Sequence, residues 1–589
     1  MQRSAVLLCV VPCFVAAGAH GQTPGSSADD WEVLPGFALE IDTDGFVFPS
    51  AIAFVPQPGP GPKDPLYFVT ELGGVVKVVT NDRSVHTFAG IGTTRRPEGG
   101  GELPDDGGEH GLAGICLDPA NGYVFVTFVY DDPSGARRNN VARLQSTPNT
   151  FSLSSEGEML FTDVFRDHPS ATSHQIGPCQ VDGATLFVSV GDGLTGIRSQ
   201  SPQTVVGKIL RMTLDGRPVP TNPLYVDDDI ARAQNFIWAM GLRNPFGLRL
   251  VDGRLFVADN GNNVDRFLEI ERGGNYLWDG SDGSIGTNAL VAWAPSVGPV
   301  TTEYHEMGDT VFPDEYRGIF YQVLGGKLIT SGPGMDGDRS IVTLDYDMAA
   351  RRMRRPPEPF VRYRGDGAQV PVALAFGPDG LYFASVLPTA TGVSPIYRVR
   401  YDPASEHGYL IGESNDPATI IGERYCRGCH VIGLRGGAAG PALNQPELGQ
   451  RLDAMLNSPD YALKIASVDS LTADVYTSTA DARREVLAAT GAERVRIWVR
   501  NRILEPRFDS PESAMPNFGI TEAQATAIAD YLLAEPAAPP RPTSLRGRLL
   551  YPISSRLPQS RYRYTAMAFF VGMLVALVVG RVRRRKKPG

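Results

Sequence analysis

The residues with the clearest chemical signature are Cys426, Cys429 and His430, which form a C-x-x-C-H arrangement. Two thiols and an imidazole at this spacing could be a redox dithiol, half of a zinc site or the attachment point of a covalent c-type haem. No cysteine or histidine follows His430 in the sequence, so a four-ligand zinc site cannot be completed locally. A thioredoxin-like dithiol would lie near a βαβ pattern, which this region lacks. The motif therefore predicts one covalent haem c.

The two cysteines would form thioether bonds to the porphyrin, and His430 would be the proximal ligand of the iron. The predicted sixth ligand is Met515, which precedes a proline and so lies in extended backbone before the last predicted helix. A thioether ligand raises the reduction potential of the iron, which suits an electron carrier. Met455 is the rival ligand, and Met515 could instead be a core residue.

Segments with helical spacing follow the haem motif. The spacing is seen in PELGQRLDAMLN, DARREVLAATGAERVRIWVRNRI and TEAQATAIADYLLAE. Thr521 is the predicted N-cap of the last of these helices. The segment from C-x-x-C-H to Met515 and the closing helix resembles class I cytochrome c over residues 412–535. The resemblance implies an all-α cytochrome c domain.

A different pattern fills residues 35–405. Apolar segments, Gly/Asp turns and β-rich segments recur there, as in GLAGICLDPANGYVFVTFVY and PVALAFGPDGLYFASV. Short strands with such turns indicate all-β structure. Six units with a period of roughly 40–80 residues predict a six-bladed β-propeller. The expected fold is thus multi-domain, with a propeller, a cytochrome c domain and a C-terminal transmembrane helix.

Three dense stretches of the β region are SHQIGPCQVDGATLFVSVGDG, AMGLRNPFGLRL and ADNGNNVDRFLEIERGGNYLW. Their order resembles the soluble glucose, aldose-sugar and sorbosone dehydrogenases. That family consists of six-bladed propellers that bind pyrroloquinoline quinone (PQQ) and Ca2+. The resemblance implies a PQQ-dependent sugar (aldose) dehydrogenase.

By position in these motifs, His174 matches the general base of the family. A neutral imidazole with a pKa near the working pH suits the removal of a proton from a sugar hydroxyl. Without the resemblance, His174 would be read as a structural histidine. Asp192 in the VGDG turn could serve a structural Ca2+ or simply make the turn.

The resemblance also implies the cofactor-binding residues. Arg243 and Asn244 match the pair that contacts the quinone, and Asn260 lies where the family has an amide-bearing side chain. The backbone carbonyls of Gly261 and Asn262 match the Ca2+ ligands, and hard oxygen ligands from a loop suit that ion.

The sequence departs from the family pattern in the last two blades. The glucose oxidisers hold the PQQ carboxylates there with a lysine and a pair of arginines. The matching positions carry side chains that cannot pair with carboxylates: Pro333 or Gly334, Val370 and Val372. Nearby candidates to replace them are Arg339, Arg362 and Arg364. The departure supports an alternative, a non-catalytic propeller that binds a glycan or protein and carries a cytochrome electron-transfer module.

Both ends of the chain have the pattern of targeting segments. Residues 1–21 contain an apolar run and a small-residue cleavage site, which predicts a signal peptide. Residues 564–580 carry no charge and predict a transmembrane helix, reached through a Pro/Arg-rich linker at 536–563. The basic residues 581–589 predict a cytoplasmic tail. We therefore expect a single-pass protein of the bacterial inner membrane, with the propeller and cytochrome domains in the periplasm.

The composition adds two expectations. The net charge of −10 argues against a nucleic-acid surface. Cys116 and Cys179 fall at corresponding points of successive blades and form either a disulfide or two buried thiols.

In the combined hypothesis, a sugar or related alcohol or aldehyde gives two electrons to PQQ. The electrons then leave singly through the haem to a respiratory acceptor.

Overall fold

The computed structural model describes residues 28–91 and 111–534, with internal gaps. The gaps are 167, 263, 282–288, 294–295, 327–338, 355–356, 366, 368, 406–415, 424–425, 427–429, 431, 433–440, 444–446, 512, 514 and 516–519. The predicted signal peptide, linker, membrane segment and tail lie outside the described residues, as does Cys429.

The described strands form seven antiparallel sheets, of which six are numbered here as blades 1 to 6 and the seventh is a two-stranded hairpin. The first two strands of the chain, β1 (Trp31–Val33) and β2 (Phe37–Phe46), pair with the last two blades. Blade 1 contains β3 (Pro49–Phe54), β4 (Pro65–Glu71), β5 (Val75–Thr80) and β6 (Val85–Gly90). Blade 2 contains β7 (Gly111–Asp118), β8 (Tyr123–Asp131), β9 (Arg137–Gln145) and β10 (Gly157–Leu160).

The remaining blades follow in order along the chain. Blade 3 contains β11 (Ile176–Asp182), β12 (Thr185–Val190), β13 (Lys208–Thr213) and β14 (Ile237–Met240). Blade 4 contains β15 (Pro245–Val251), β16 (Arg254–Asp259), β17 (Asp265–Ile270) and β18 (Val291–Trp293). Blade 5 contains β19 (Pro299–His305), β20 (Ile319–Leu324), β21 (Ser340–Leu344), β24 (Glu358–Tyr363) and β1, beside a small hairpin of β22 (Tyr346–Asp347) and β23 (Arg352–Met353). Blade 6 contains β25 (Pro371–Gly377), β26 (Gly380–Ser385), β27 (Ser394–Tyr401) and β2.

The first strand of each blade contacts the first strand of the next, and β25 of blade 6 returns to β3 of blade 1. These six strands therefore line the centre of a closed ring. The ring is fastened by the N-terminus, because β2 pairs with β27 and β1 pairs with β24. Closure covers the sheet edges that an open array would expose. The predicted six-bladed propeller is confirmed.

The second strand of each blade explains the repeated sequence motif. Strands β4, β12, β16, β20 and β26 are buried along nearly their whole length. Neighbouring blades cover both faces of such a strand, so it reads as a continuous apolar run rather than as an alternation. The repeats LYFV, LFVSV and LFVAD are these strands.

We define the top face as the end of the ring at which the six inner strands begin. Each inner strand has a register irregularity close to its start. Because strands within a blade are antiparallel, the second strand of each blade ends at this same face. Residues just before a first strand and just after a second strand are thereby brought together.

Cys116 and Cys179 form a disulfide with their Cα atoms 5.7 Å apart. The bond joins β7 and β11, the inner strands of neighbouring blades, at a Cα separation within the usual range for disulfides. The two alternatives left open by the sequence are thus decided in favour of the disulfide.

The described C-terminal region is helical. Its helices are α1 (Pro417–Glu423), α2 (Glu447–Leu456), α3 (Pro459–Asp469), α4 (Asp474–Ser478), α5 (Ala480–Ala488), α6 (Gly491–Leu504) and α7 (Glu522–Leu533). Helix α7 packs on α6 and α1 around a shared apolar core. Thr521 caps α7 in a reciprocal capping box with Gln524, as the sequence predicts.

The predicted membrane location requires a correction. In the part of the chain that the structure describes, no helix combines the length and apolar character needed to cross a bilayer. The single-pass inner-membrane assignment is therefore wrong on this finding. Residues 564–580, which carried it, lie outside the described residues.

Candidate active site on the propeller

The candidate base His174 lies in the turn that leads into β11, on the top face. Its φ of +58° is in the left-handed region, which is uncommon for a residue other than glycine. The backbone of Gly191 passes so close that a Cβ there would lie 2.5 Å from the carbonyl oxygen of His174. Glycine at the end of β12 thus lets the two segments approach.

His174 is paired with Asp192, which follows the end of β12. Nδ1 of His174 lies 2.6 Å from Oδ1 of Asp192, and both side chains are almost fully buried. An ionised carboxylate can only accept a hydrogen bond, so Nδ1 carries the proton. In the neutral ring the lone pair is then on Nε2, as a general base requires.

Asp192 is held by three further donors. Nε1 of Trp278 donates to Oδ2 at 2.8 Å, and the backbone N–H groups of Leu194 and Gly196 donate at 2.9 and 3.1 Å. Burial raises the pKa of the Asp192 carboxyl, but the hydrogen bonds from His174, Trp278 and Leu194 outweigh burial and lower the pKa below its usual value. Asp192 therefore stays ionised and orients the imidazole.

Arg243 connects the base to the neighbouring blade. Its carbonyl oxygen accepts a 2.7 Å hydrogen bond from the Asp192 backbone N–H. Its Nη1 donates to the Asn260 carbonyl at 3.0 Å, and its guanidinium lies 5.6 Å from the Trp278 ring centroid. No carboxylate among the described residues forms an ion pair with this half-buried cation. It is therefore available to an anionic ligand.

A buried ion pair positions the Arg243–Asn244 turn. Oδ1 of Asp259 accepts from the backbone N–H of Arg243 at 3.1 Å and of Asn244 at 2.8 Å. Oδ2 of Asp259 accepts from Arg266 Nη2 at 2.6 Å, and both of these side chains are buried. The carboxylate thus fixes the start of β15 from the end of β16.

The other three predicted cofactor residues lie in the loop between β16 and β17. The Asn260 backbone N–H donates to the Asn244 carbonyl at 2.9 Å, and its Nδ2 donates to the Pro299 carbonyl at 2.5 Å. The carbonyl of Asn262 accepts from Ser296 Oγ at 3.3 Å. A Cβ at Gly261 would lie 1.6 Å from the Val264 carbonyl, so only glycine fits there.

The loop is fastened by Asp265, whose carboxylate accepts from the Gly261, Val297 and Gly298 backbone N–H groups at 2.8, 2.6 and 2.9 Å. The Asp265 carboxylate therefore accepts hydrogen bonds from the backbone and fixes the loop conformation. No group of three His, Cys, Asp or Glu side chains within the described ranges could hold a metal. Calcium binding here would depend on the carbonyl oxygens of Gly261 and Asn262.

Two of the arginines proposed to replace the missing basic residues that hold the PQQ carboxylates form contacts with other residues of the chain. Nε of Arg364 pairs with Glu32 at 2.9 Å, at the outer strand of blade 5. Nη1 of Arg339 donates to the Gly367 carbonyl at 2.7 Å. Val370 donates its N–H to Ser385 Oγ at 2.8 Å. Pro333 and Gly334 lie outside the described residues.

Two haem-motif residues, Cys426 and His430, are described in the helical region. The His430 N–H donates to the Cys426 carbonyl at 3.1 Å. Nδ1 of His430 lies 2.8 Å from the Pro441 carbonyl, which fixes the proton on Nδ1. This tautomer presents Nε2 as a ligand atom. Met515 lies half-buried in a bend before α7, so its predicted role stays a prediction.

Residues 48–288 match the family model described as Glucose / Sorbosone dehydrogenase. The match spans the blades that carry His174, Arg243, Asn244, Asn260, Gly261 and Asn262. The predicted enzyme class, a sugar dehydrogenase-type oxidoreductase, is thereby confirmed for the propeller.

Solved structures similar to this chain include three sugar dehydrogenases. A glucose dehydrogenase is 18% identical and has a TM-score of 0.48, covering 61% of this chain and 98% of its own. The apo-form soluble aldose sugar dehydrogenase of Escherichia coli is 17% identical, with a TM-score of 0.48 and coverage of 62% and 99%. The PQQ-bound aldose sugar dehydrogenase of Streptomyces coelicolor is 19% identical, with a TM-score of 0.44 and coverage of 62% and 98%. No curated protein sequence matches this chain significantly.

Sequence reasoning left three positioning residues without a role, Asp259, Arg266 and Trp278, and gave Asp192 only a structural Ca2+ site or the turn. A signal that could have found the two aspartates was the pair of VGD and VAD motifs, since both residues lie at the ends of equivalent second strands in neighbouring blades. Arg266 and Trp278 act across a blade, and no local pattern marks them.

Proposed function

We propose that this protein is a PQQ-dependent dehydrogenase of an aldose or a related alcohol or aldehyde, with His174 as the general base. The observation that carries the proposal is the buried His174–Asp192 pair, joined through the Arg243 backbone to a guanidinium that has no carboxylate partner among the described residues. A base beside an anion-binding cation suits oxidation of a carbinol by an anionic cofactor.

His174 would take the proton of the substrate hydroxyl on Nε2. The resulting imidazolium would be stabilised by the ionised Asp192 at 2.6 Å. Because Trp278 and two backbone N–H groups hold that carboxylate in place, the ring need not reorganise as charge develops. PQQ, when bound, would supply the two-electron acceptor for the substrate carbon.

Arg243 would bind a carboxylate or quinone oxygen of PQQ with its planar fork, with Asn244 and Asn260 beside it. The residues fit this task because Asp259 fixes the turn that carries Arg243 and Asn244. The carbonyl oxygens of Gly261 and Asn262 are hard oxygen ligands of the kind that Ca2+ prefers, so we propose that they bind the Ca2+ ion.

We also propose that the helical region carries one haem c, held by Cys426, Cys429 and His430, with Met515 as the sixth ligand. The hydrogen bond from His430 Nδ1 to Pro441 supports the proposal, because it orients the ring and leaves Nε2 to bind iron. The haem would accept electrons one at a time and pass them to a respiratory acceptor.

A direct test is reduction of the haem by substrate. The full chain would be produced with a haem c maturation system, loaded with PQQ and Ca2+, and mixed with aldoses, alcohols and aldehydes. We expect the haem absorption to change to that of the reduced form with at least one substrate. His174→Ala should abolish the change, whereas the control His86→Ala, on the outer strand of blade 1, should retain it.

One second function has specific support. Arg364 pairs with Glu32 and Arg339 donates to the Gly367 carbonyl. Val370 stands where the glucose oxidisers have a basic residue that holds a PQQ carboxylate, as expected for a propeller that binds a glycan or protein without catalysis. Failure of PQQ to bind, together with an unreduced haem for every substrate, would favour this alternative. Binding of PQQ with substrate-dependent reduction would exclude it.

A further inference from the structure

Three large aliphatic side chains are exposed beside the candidate active site. Leu194 is 56% exposed, Ile197 is 65% exposed and Leu277 is 37% exposed. We call these three residues the aliphatic rim. Exposed aliphatic side chains are common singly on a surface, but a group of them beside a reactive site is a reason to look for a ligand.

The rim lies on two loops that touch each other. Leu194 and Ile197 belong to the loop between β12 and β13, and Leu277 belongs to the connection after β17. A Cβ at Gly196 would lie 2.8 Å from the Gly280 Cα, so glycine permits the contact between the loops. The three residues therefore lie on adjoining loops contributed by neighbouring blades.

Hydrogen bonds tie these loops to the candidate base. The Leu194 N–H donates at 2.9 Å to the same Asp192 oxygen that lies 2.6 Å from His174 Nδ1. Trp278, the residue after Leu277, donates to the other oxygen of Asp192 at 2.8 Å. The rim thus lies beside the place where a substrate would react.

Both leucines of the rim also have an unfavourable backbone. The φ angles are +59° at Leu194 and +67° at Leu277, in the left-handed region that bulky side chains rarely adopt. Such a residue costs free energy through its backbone conformation and through the apolar surface that it leaves in water. Such residues persist chiefly where they serve a function.

Building on the dehydrogenase function proposed above, we propose that the aliphatic rim binds an apolar substituent of the substrate. The preferred substrate is then an aldose or related alcohol that carries an alkyl or aryl group, rather than the unsubstituted sugar. A substrate reacting at His174 lies next to the rim and removes it from water. A protein seated on the rim would instead obstruct access to the base.

The proposal can be tested by binding, without turnover. The probes are 1,5-anhydroglucitol and its 6-O-benzyl ether, which both lack the anomeric hydroxyl. Affinity for the PQQ- and Ca2+-loaded full chain would be measured by tryptophan fluorescence and calorimetry. We expect the benzyl ether to bind at least about tenfold more tightly, since apolar groups of this size give about that discrimination.

The matched variant is the double change Leu194→Asn and Leu277→Asn. Asparagine tolerates the left-handed backbone, so the loops keep their conformation while the apolar surface is removed. In this double variant the ratio of the two affinities should fall to within about twofold, because the apolar contact that gives the discrimination is removed. The control is Val226→Asn, because Val226 is also 56% exposed but lies between β13 and β14, at the other end of blade 3.

Equal binding of the two probes by the unaltered protein would overturn the proposal, as would a preference that survives the double change. So would unchanged binding with slower electron transfer in the double variant, which would assign the rim to a protein partner. A binding preference without oxidation of glucose or 6-O-benzyl-glucose would instead overturn the proposed dehydrogenase function and leave the rim assignment standing.

Discussion

The Asp192 carboxylate lies 2.6 Å from Nδ1 of His174, and the Asp192 backbone N–H donates to the Arg243 carbonyl at 2.7 Å. One aspartate therefore sets both the tautomer of the candidate base and the position of the candidate cofactor-binding arginine. The three residues come from different loops of blades 3 and 4. Their relative placement depends on the top-face geometry of the ring rather than on any single loop.

Replacing Asp192 with asparagine should lower kcat by about 10²- to 10⁴-fold, the range typical of general-base catalysis. The amide would present a donor or a weaker acceptor to His174 Nδ1, so the ring would lose its fixed tautomer. Steady-state kinetics with a saturating aldose would measure the loss. Asp163→Asn, at an exposed position that pairs with Arg166, is the control. A kcat within twofold of the unaltered protein would remove Asp192 from the mechanism.

Arg243→Gln should weaken PQQ binding by about 10- to 100-fold, because hydrogen bonds to charged groups contribute about 1.5–3 kcal/mol. No carboxylate in the described part of the chain pairs with the Arg243 guanidinium, so its charge is available to PQQ. The substitution removes that interaction. Calorimetric titration of PQQ in the presence of Ca2+ would give the affinity. Arg364→Gln should leave it unchanged, since Arg364 pairs with Glu32. Equal losses in both variants would contradict a specific role.

The fold was predictable because its signals are local and repeated. Each second strand is buried on both faces, so motifs such as LFVSV and LFVAD recur as apolar runs with a regular turn on either side. The strand pairing that closes the ring was not predictable. Trp31 pairs with Tyr363 and Phe37 pairs with Tyr401, across more than 300 residues, and no pattern within β1 or β2 indicates its partner.

The candidate site was predicted in part. The sequence pointed to His174 and Arg243 through motifs that resemble a known family, and the structure brings them together on one face. Arg266 was missed because its buried ion pair with Asp259 has no local signature. The proposed replacement of the PQQ grip by Arg364 was reasonable from sequence distance alone. In the structure that side chain pairs with Glu32, on a strand far away in the chain.

The disulfide between Cys116 and Cys179 should stabilise the propeller. The two residues are 63 positions apart, and closing a loop of this size removes denatured-state entropy equivalent to about 4 kcal/mol. We expect Cys116→Ala with Cys179→Ala, or reduction with dithiothreitol, to lower the free energy of unfolding by about 2–4 kcal/mol. Urea unfolding followed by fluorescence would measure it. The double variant should not respond to dithiothreitol, and a response would show that the reductant acts elsewhere.

His168 should make the stability of the propeller depend on pH. Burial lowers the pKa of its imidazole from 6.5 to about 4, although hydrogen bonds to the Pro169 and Gly191 backbone oppose the shift. Between these two pKa values the unfolded chain binds one more proton than the folded chain. The contribution of His168 is therefore complete above pH 6.5 and is lost as the pH falls towards 4.

The expected loss is about 3 kcal/mol, at about 1.4 kcal/mol per pKa unit. His168→Gln cannot take up this proton, so its free energy of unfolding should fall by that much less than in the unaltered protein between pH 7 and pH 4. Urea unfolding at several pH values would compare the two, because the other titrating groups are common to both. His86→Gln, on an outer strand, serves as the control. Parallel pH profiles for the unaltered protein and His168→Gln would show that the buried ring does not stay neutral through this range.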